Sequence, residues 1–394
     1  MHRPQTKDKI YTLVDGVKGT LIAMSDFIHD NPETGNSEFK AHKLITQTLA
    51  SNGFAVDKEI LGLKTAFRAS YKTGGGGPNL GLLCEYDALE GLGHGCGHNL
   101  QAPAIVGAAL ALARGLGDAP ATIFVYGTPA EETTSAKLPM ARAGVFDHLD
   151  VALMMHAGDR TTVDGKSLAL NLVDFIFEGK AAHAAIAPEQ GISALDAVLM
   201  TFNGIEYLRE HVRPDVRIHG VITDGGKAAN IVPERAAAQF YIRADNRPHL
   251  DTVVERVFNV ARGAALATGA KLAIHEVKAY DNKLNVESLN RLLLDEAEQA
   301  GAENITPPRQ VTGSTDFSCV TYRVPGACLR VSFVPLATPS HSTTWVEASK
   351  SPAAHAAVIV AAKSLAGACH DLVMNPELLQ QVKMEFDRAK KALA

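Results

Sequence analysis

Residues 80–113 read LGLLCEYDALEGLGHGCGHNLQAPAIVGAALALA. A short apolar run, Leu80 to Cys84, has the length of a buried strand, and a helix-like apolar segment begins after Asn99. Between them lie Glu85, Asp87, His94, Cys96 and His98, interleaved with Gly91, Gly93, Gly95 and Gly97. Acid, thiol and imidazole therefore crowd one strand-to-helix connection. In an open α/β sheet, connections at the carboxyl ends of strands are where ligands bind. The glycines do not form a dinucleotide loop: counted from 91, 93 or 95, the required third glycine falls on Cys96, His98 or Leu100. Two readings of Cys96-x-His98 stay open at this point. One is a metal loop, because thiolate and imidazole are both zinc ligands. The other is a buried cysteine beside a satisfied core histidine.

Outward from this stretch, other strand-like runs end in the same kind of residue. Ala121 to Tyr126 leads into Gly127, Thr128, Pro129, Ala130, Glu131 and Glu132. Adjacent residues in an extended chain point to opposite sides, so one carboxylate can bind a metal while its neighbour faces a water. Val151 to Met155 ends in His156, and His341 follows a strand-like run near Ala327 to Phe333. Three successive strands thus each deliver candidate ligands at one edge of a sheet.

Composition sets the frame. A chain of 394 residues is long for one core, so two domains are expected. Its 46% apolar and 21% charged residues fit a globular enzyme. A net charge of −5 supplies no basic face for nucleic acid. No uninterrupted apolar run reaches ~18 residues, so no membrane partner is expected. The N-terminal MHRPQTKDKIYTL has no apolar signal core. Five irregularly spaced cysteines, at 84, 96, 319, 328 and 369, argue for a reducing, cytoplasmic compartment.

The periodicity predicts one long opening helix through Ile10 to Ile28, and a second over Glu38 to Leu49. Strands are expected at Phe54 to Val56 and Thr65 to Tyr71, with Gly74 to Gly77 as a hairpin or loop, and a final amphipathic helix from Pro352 to Leu365. From 169 to 282 the order of elements becomes β-α-β-β-α-β, the pattern of a ferredoxin-like α+β unit. The expected organisation is an α/β domain from 1–168 and 283–394, interrupted by this insertion.

The segments CEYDALEGLGHGCGHN, TPAEE, MMHAG, GKAAHAA, GGKAANIVPERA, TGSTDFSCV and PSHS occur in order over most of the chain. Together they resemble the dinuclear metallopeptidase family of carboxypeptidase G, aminoacylase, hippurate hydrolase and aminobenzoyl-glutamate hydrolase. The resemblance implies a mixed-sheet, zinc-peptidase-like catalytic domain with an inserted lid and dimerisation domain, and a homodimer or higher homo-oligomer formed through that lid. It implies two divalent ions per subunit, zinc or manganese with cobalt admitted, bound by Cys96, His98, Glu132, His156 and His341, with Cys96 shared between them. Glu131 is then the general base acting on a bridging water, and Asp87 orients a ligand imidazole. His183 matches the lid histidine that stabilises the oxyanion. Asn230, Arg243, Gly313 and Ser314 match residues that contact the substrate. Two departures stand out: Asn99 occupies a position that is often aspartate, and Glu85 one that is a ligand histidine in the carboxypeptidase branch. The implied substrate is an N-acyl amino acid or dipeptide cut at its amide bond. Hydrolytic deamination of an aromatic or heterocyclic amine, or metal-dependent binding without catalysis, are the alternatives.

Overall fold

The computed structural model describes residues 5–163, 165–308 and 313–393. The chain divides into two compact units. The first holds residues up to 166, 284–308 and 316–392; the second holds Ser167–Lys283 with a short return over 313–315. That return was not in the expected division. Val311 and Thr312, beside the TGSTDFSCV motif, lie outside the described residues.

The first unit opens with α1 (Gln5–Gly16), α2 (Lys18–Asp30) and α3 (Phe39–Ser51). The single opening helix expected from periodicity is therefore two. Val17, at φ −110° and ψ 5°, leaves helical geometry beside Gly16, while Ile10, Val14, Leu21, Met24 and Ile28 stay buried across the break. Then follow β1 (Ala55–Lys58), β2 (Phe67–Thr73), β3 (Asn79–Cys84), α4 (His98–Gly115), β4 (Ala121–Gly127), α5 (Lys137–Arg142), β5 (Val151–Gly158) and β6 (Thr162–Val163).

The second unit runs β7 (Ala169–Glu178), α6 (Ala194–Arg209), β8 (Arg217–Asp224), β9 (Arg235–Ala244), α7 (Arg247–Thr268) and β10 (Lys271–Tyr280). The chain returns to the first unit with α8 (Glu287–Gln299), α9 (Phe317–Thr321), β11 (Gly326–Ser332), α10 (Thr343–Ala348), α11 (Pro352–Met374) and α12 (Pro376–Lys391).

The first unit is built on a mixed seven-stranded sheet in the order β1-β2-β4-β3-β5-β11-β6. Its centre, β4-β3-β5-β11, is parallel, and β1, β2 and β6 join antiparallel at the edges. Central parallel strands are covered on both faces, which explains their continuous apolar runs. β4 lies between β2 and β3, so Gly74 to Gly77 is a loop and not a hairpin. It crosses tightly over the start of β4: a Cβ on Gly77, already at φ +78°, would lie 1.7 Å from the Pro120 carbonyl oxygen. The order also sets the site. The chain leaves β3 for β4 on one side, then returns to β5 on the other. Strand order reverses at β3, and ligands bind at such reversals.

α11 extends beyond the expected Leu365 and is buried on most of its circumference, against α1, α4 and α8; the amphipathic closing helix is α12. By length and composition α11 could cross a membrane, but its apolar surface is taken up inside this unit.

The second unit is a four-stranded antiparallel sheet, β10-β7-β9-β8, with α6 and α7 on one face. Alternation builds it. Val173, Phe175 and Phe177 of β7 and Ala236, Ala238, Phe240 and Ile242 of β9 face the helices, where they meet Val198, Ile205, Val253 and Val257.

Candidate metal centre

The loops after β3 and β4, the end of β5 and the loop of His341 beyond β11 bring together six of the expected residues. Three overlapping donor groups form, each with its ligand atoms within 4.8 Å of one another: Cys96, His98 and His156; Cys96, Glu132 and His341; His98, Glu131 and Glu132. The first two share Cys96. Its Sγ lies 3.5 Å from His156 Nε2, and His341 Nε2 lies 3.7 Å from Glu132 Oε1.

Backbone features aim these side chains. Gly97 caps α4 at φ +79°, and a Cβ there would lie 2.5 Å from Ala157 Cβ. The glycine thus lets the loop of Cys96 and His98 close onto β5. His341 comes from a loop well beyond Ser332, the last residue of β11, and not directly from the strand end; its N–H donates to the Gly95 carbonyl at 2.9 Å, tying it to the same loop. Glu131 and Glu132 do not alternate along an extended chain as expected. Ala130, buried at φ +62°, turns the backbone after β4, and Ser135 closes the turn by donating its N–H to the Ala130 carbonyl. Ala130, Ser135 and His341 all adopt positive φ without being glycine. Such strain persists where the surroundings impose it, typically at functional sites.

Hydrogen bonds select the imidazole tautomers. His98 Nδ1 lies 3.0 Å from the Asp87 carbonyl oxygen and 3.3 Å from Asp87 Oδ1. Both are acceptors, so Nδ1 carries a proton, which leaves Nε2 as the nitrogen available to a metal ion. His156 Nδ1 lies 2.8 Å from the Ala157 carbonyl oxygen, an acceptor, and 3.2 Å from Arg330 Nη1, a donor; the shorter contact favours a proton on Nδ1. Metal-binding histidines are oriented like this through their other nitrogen. Asp87 also accepts from the Glu132 N–H at 3.0 Å, so one carboxylate orders two ligand loops.

Burial shapes the electrostatics. It pushes the Cys96 thiol up to about 12, above its usual value despite the nearby imidazole of His98. His156 is pushed down to about 3 by burial, then by Arg330 and His98, which keeps its imidazole neutral. Burial, then the carboxylates of Asp316 and Glu85, hold Glu131 well above the usual carboxylate range. That direction suits a group that must take a proton and return it near neutral pH. Glu85 is buried too, yet the Lys137 ammonium, then the His98 imidazole, hold it down to about 2.

The residues fit divalent metal ions. His98 Nε2 and Glu132 Oε1 are buried without a hydrogen-bond partner, at the positions the donor groups define. Buried polar atoms are rarely left so. A thiolate, imidazoles and carboxylates form a donor set that favours zinc-like ions over magnesium or calcium.

The model of peptidase family M20/M25/M40 matches residues 81–364. The chain belongs to this family. As an M20 peptidase it is a hydrolase acting on amide bonds. It is 34% identical over 389 residues to the Xaa-Arg dipeptidase of Mus musculus, covering 95% of this chain and 90% of that protein. It is 31% identical to a p-aminobenzoyl-glutamate hydrolase chain of Escherichia coli K12, covering 96% of this chain and 95% of that one. A dinuclear metal-binding M20 peptidase from Bacillus subtilis shares the fold with a TM-score of 0.70 at 19% identity, over 91% of this chain and 99% of that one.

The other expected residues of this M20 chain lie in the second unit. Arg243 Nη1 donates to Ser314 Oγ at 3.2 Å, and its guanidinium lies 5.3 Å from the Tyr241 ring centre. Gly313 accepts the Leu168 N–H, seating the 313–315 return beside β7. His183 and Asn230 occupy facing loops: Ala184 N–H donates to the Asn230 carbonyl, and His183 pairs with Ile231. Both are exposed. Sequence reasoning passed over Lys137 and Asp316, fully buried in ion pairs. It also passed over Glu38, which accepts the Ala130 N–H at 2.8 Å and so supports the Glu131 turn. A lysine inside the apolar run AKLPMA was the available signal for Lys137.

Proposed function

We propose that the protein hydrolyses the amide bond of a dipeptide or N-acyl amino acid with a free carboxylate. Cys96, His98 and His156 would hold one divalent ion, and Cys96, Glu132 and His341 a second. When bound, such ions polarise the scissile carbonyl and lower the pKa of water towards neutrality. The chain's own groups do the rest. Asp87 keeps the His98 proton on Nδ1. Glu131 takes the proton of the attacking water and returns it to the leaving amine. Arg243, steadied by Ser314 and Tyr241, offers a planar fork to the substrate carboxylate. By resemblance, Asn230 and the Gly313 backbone are assigned to substrate contacts, and His183 to donation to the developing oxyanion. Two copies associate through the second unit, and the free cysteines suit a reducing, cytoplasmic compartment.

The observation that carries this reading is the pair of donor groups meeting at Cys96, with Glu131 beside them. The likeness to an Xaa-Arg dipeptidase and to an aminobenzoyl-glutamate hydrolase supports the substrate class and sets the first screen. Xaa-Arg dipeptides and aminobenzoyl-glutamate are incubated with enzyme supplied separately with manganese, zinc or cobalt, and products are read by mass spectrometry. Release of an amino acid supports amide cleavage; ammonia without an amino acid favours deamination instead. Glu131→Gln is expected to keep its metal and lose turnover by a factor of at least ~100. Cys96→Ala is expected to lose both. A wild-type enzyme that holds no divalent ion overturns the proposal.

A further inference from the structure

Behind the donor groups lies a set of buried charges, none of which takes or gives a proton in the reaction above. Lys137 and Asp316 are 0% exposed and Glu85 is 1% exposed. The Lys137 ammonium donates to Glu85 Oε1 and, at 3.0 Å each, to both oxygens of Asp316. An ammonium has three N–H donors, so Lys137 has nothing to offer a substrate. Ser135 Oγ donates to Asp316 Oδ2. Gln101 Nε2 donates to Glu85 Oε2 at 2.8 Å, and Gln101 Oε1 accepts the Glu85 N–H. Every Asp316 and Glu85 oxygen is thus an acceptor, as in an ionised carboxylate.

Hydrogen bonding is complete, but charge is not. Two carboxylates face one ammonium, leaving one surplus negative charge where unpaired charge is costly. The surplus has a direction. Glu85 Oε2 lies 3.3 Å from His98 Nε2, while Asp87 takes the other ring nitrogen. That contact is favourable when a cation answers the carboxylate, either a proton on Nε2 or a metal ion in its place.

We propose that the Glu85–Lys137–Asp316 network sets the charge of the metal centre. Its surplus negative charge stabilises the cation bound at His98, and Lys137 limits that surplus to one. The three are positioning residues that act through His98. This inference rests on the metal-centre reading above.

A purely structural ion network would lose stability on any substitution, with no pattern in metal affinity. Charge-setting gives a pattern of opposite signs. The test measures zinc affinity and manganese affinity separately, by chelator competition on the purified holoenzyme, with melting temperature read alongside. Glu85→Gln leaves no surplus charge, and weakens binding by about 10–100-fold, the usual effect of losing a group that supports a ligand. Asp316→Asn removes the same charge one residue further from His98, and weakens binding less. Lys137→Met leaves two negative charges: the metal-free protein melts lower while the metal binds at least as tightly as in wild type. Should Lys137→Met fail to fold, the double variant Lys137→Met/Asp316→Asn restores a single surplus charge and is expected to return wild-type affinity. Equal weakening in all variants, or none, overturns the proposal. A loss confined to Glu85→Gln, with Asp316→Asn unchanged, makes Glu85 a direct ligand and also overturns it. A wild-type protein that retains neither ion defeats the metal-centre reading itself, before any variant is compared.

Discussion

Asp87 and Gly97 do more to form the candidate centre than their size suggests. Asp87 orders His98 through Nδ1 and Glu132 through its N–H, so one side chain sets the aim of two ligands. Gly97 allows the approach to β5. Gly97→Ala places a side chain at φ +79° against Ala157 and Trp345. The left-handed backbone alone costs about 1–2 kcal/mol, and the contact with Ala157 adds to it. Chemical denaturation is expected to show that loss, and metal affinity is expected to fall with it because His98 begins the helix that Gly97 caps. Unchanged stability would mean that the loop relaxes away from β5. Cys96 and His98 stood out at this scale because thiol and imidazole at close spacing are rare. Lys137 and Asp316 did not, because a charged residue in a sequence carries no mark of being buried.

At the scale of elements, three helices are locked by a second buried ion network. Lys7 of α1 donates to Glu296 of α8 and to Asp371 of α11, and Tyr11 donates to Glu296 at 2.7 Å. Lys7→Met strands two carboxylates between helices and is expected to cost about 3–5 kcal/mol, the usual result of removing one partner from a buried pair. The pH dependence follows from the direction of the shift. Burial pulls Lys7 down, but hydrogen bonds to Asp371 and Glu296 outweigh it and raise its value above the ordinary 10.5. The folded state therefore holds this proton more tightly than the unfolded chain. Its stabilisation is complete below pH 10.5 and is lost as pH rises through the raised value. Thermal melts from about pH 10 to 12 are expected to lose this part of their alkaline decline in Lys7→Met. An identical decline in both proteins would show that Lys7 does not contribute to it. Most elements were legible in the sequence from apolar periodicity. The break at Val17 was not, because Ile10 to Ile28 keep their helical spacing across it.

For the whole molecule, the exposed apolar surface of the second unit bears on assembly. Leu199, Met200 and Tyr207 project from α6, and Val221 and Ile222 from β8, an edge strand of the four-stranded sheet. An open edge strand with exposed apolar residues invites pairing with another strand. A homodimer formed as proposed would use this edge. Light scattering is expected to find a dimer for the wild type and a shift to monomer for Val221→Lys, which puts a charge on the edge. A wild-type monomer at micromolar concentration would remove the assembly proposal and leave the metal centre untouched.

The sequence alone carried the mixed α/β class, the β-α-β-β-α-β insertion and the identity of the ligand candidates. Those follow from local periodicity and from the rarity of thiol, imidazole and paired carboxylates at strand ends. Tertiary structure decided which of them meet. The reversal of strand order at β3 puts the loops of Cys96 and Glu132 beside His156 of β5, and a single backbone bond from His341 to Gly95 brings in a residue about 246 positions away in the chain. It also decided that Lys137 sits in the interior between two carboxylates. Burial and net charge at a site depend on contacts between distant segments, and no local pattern encodes them.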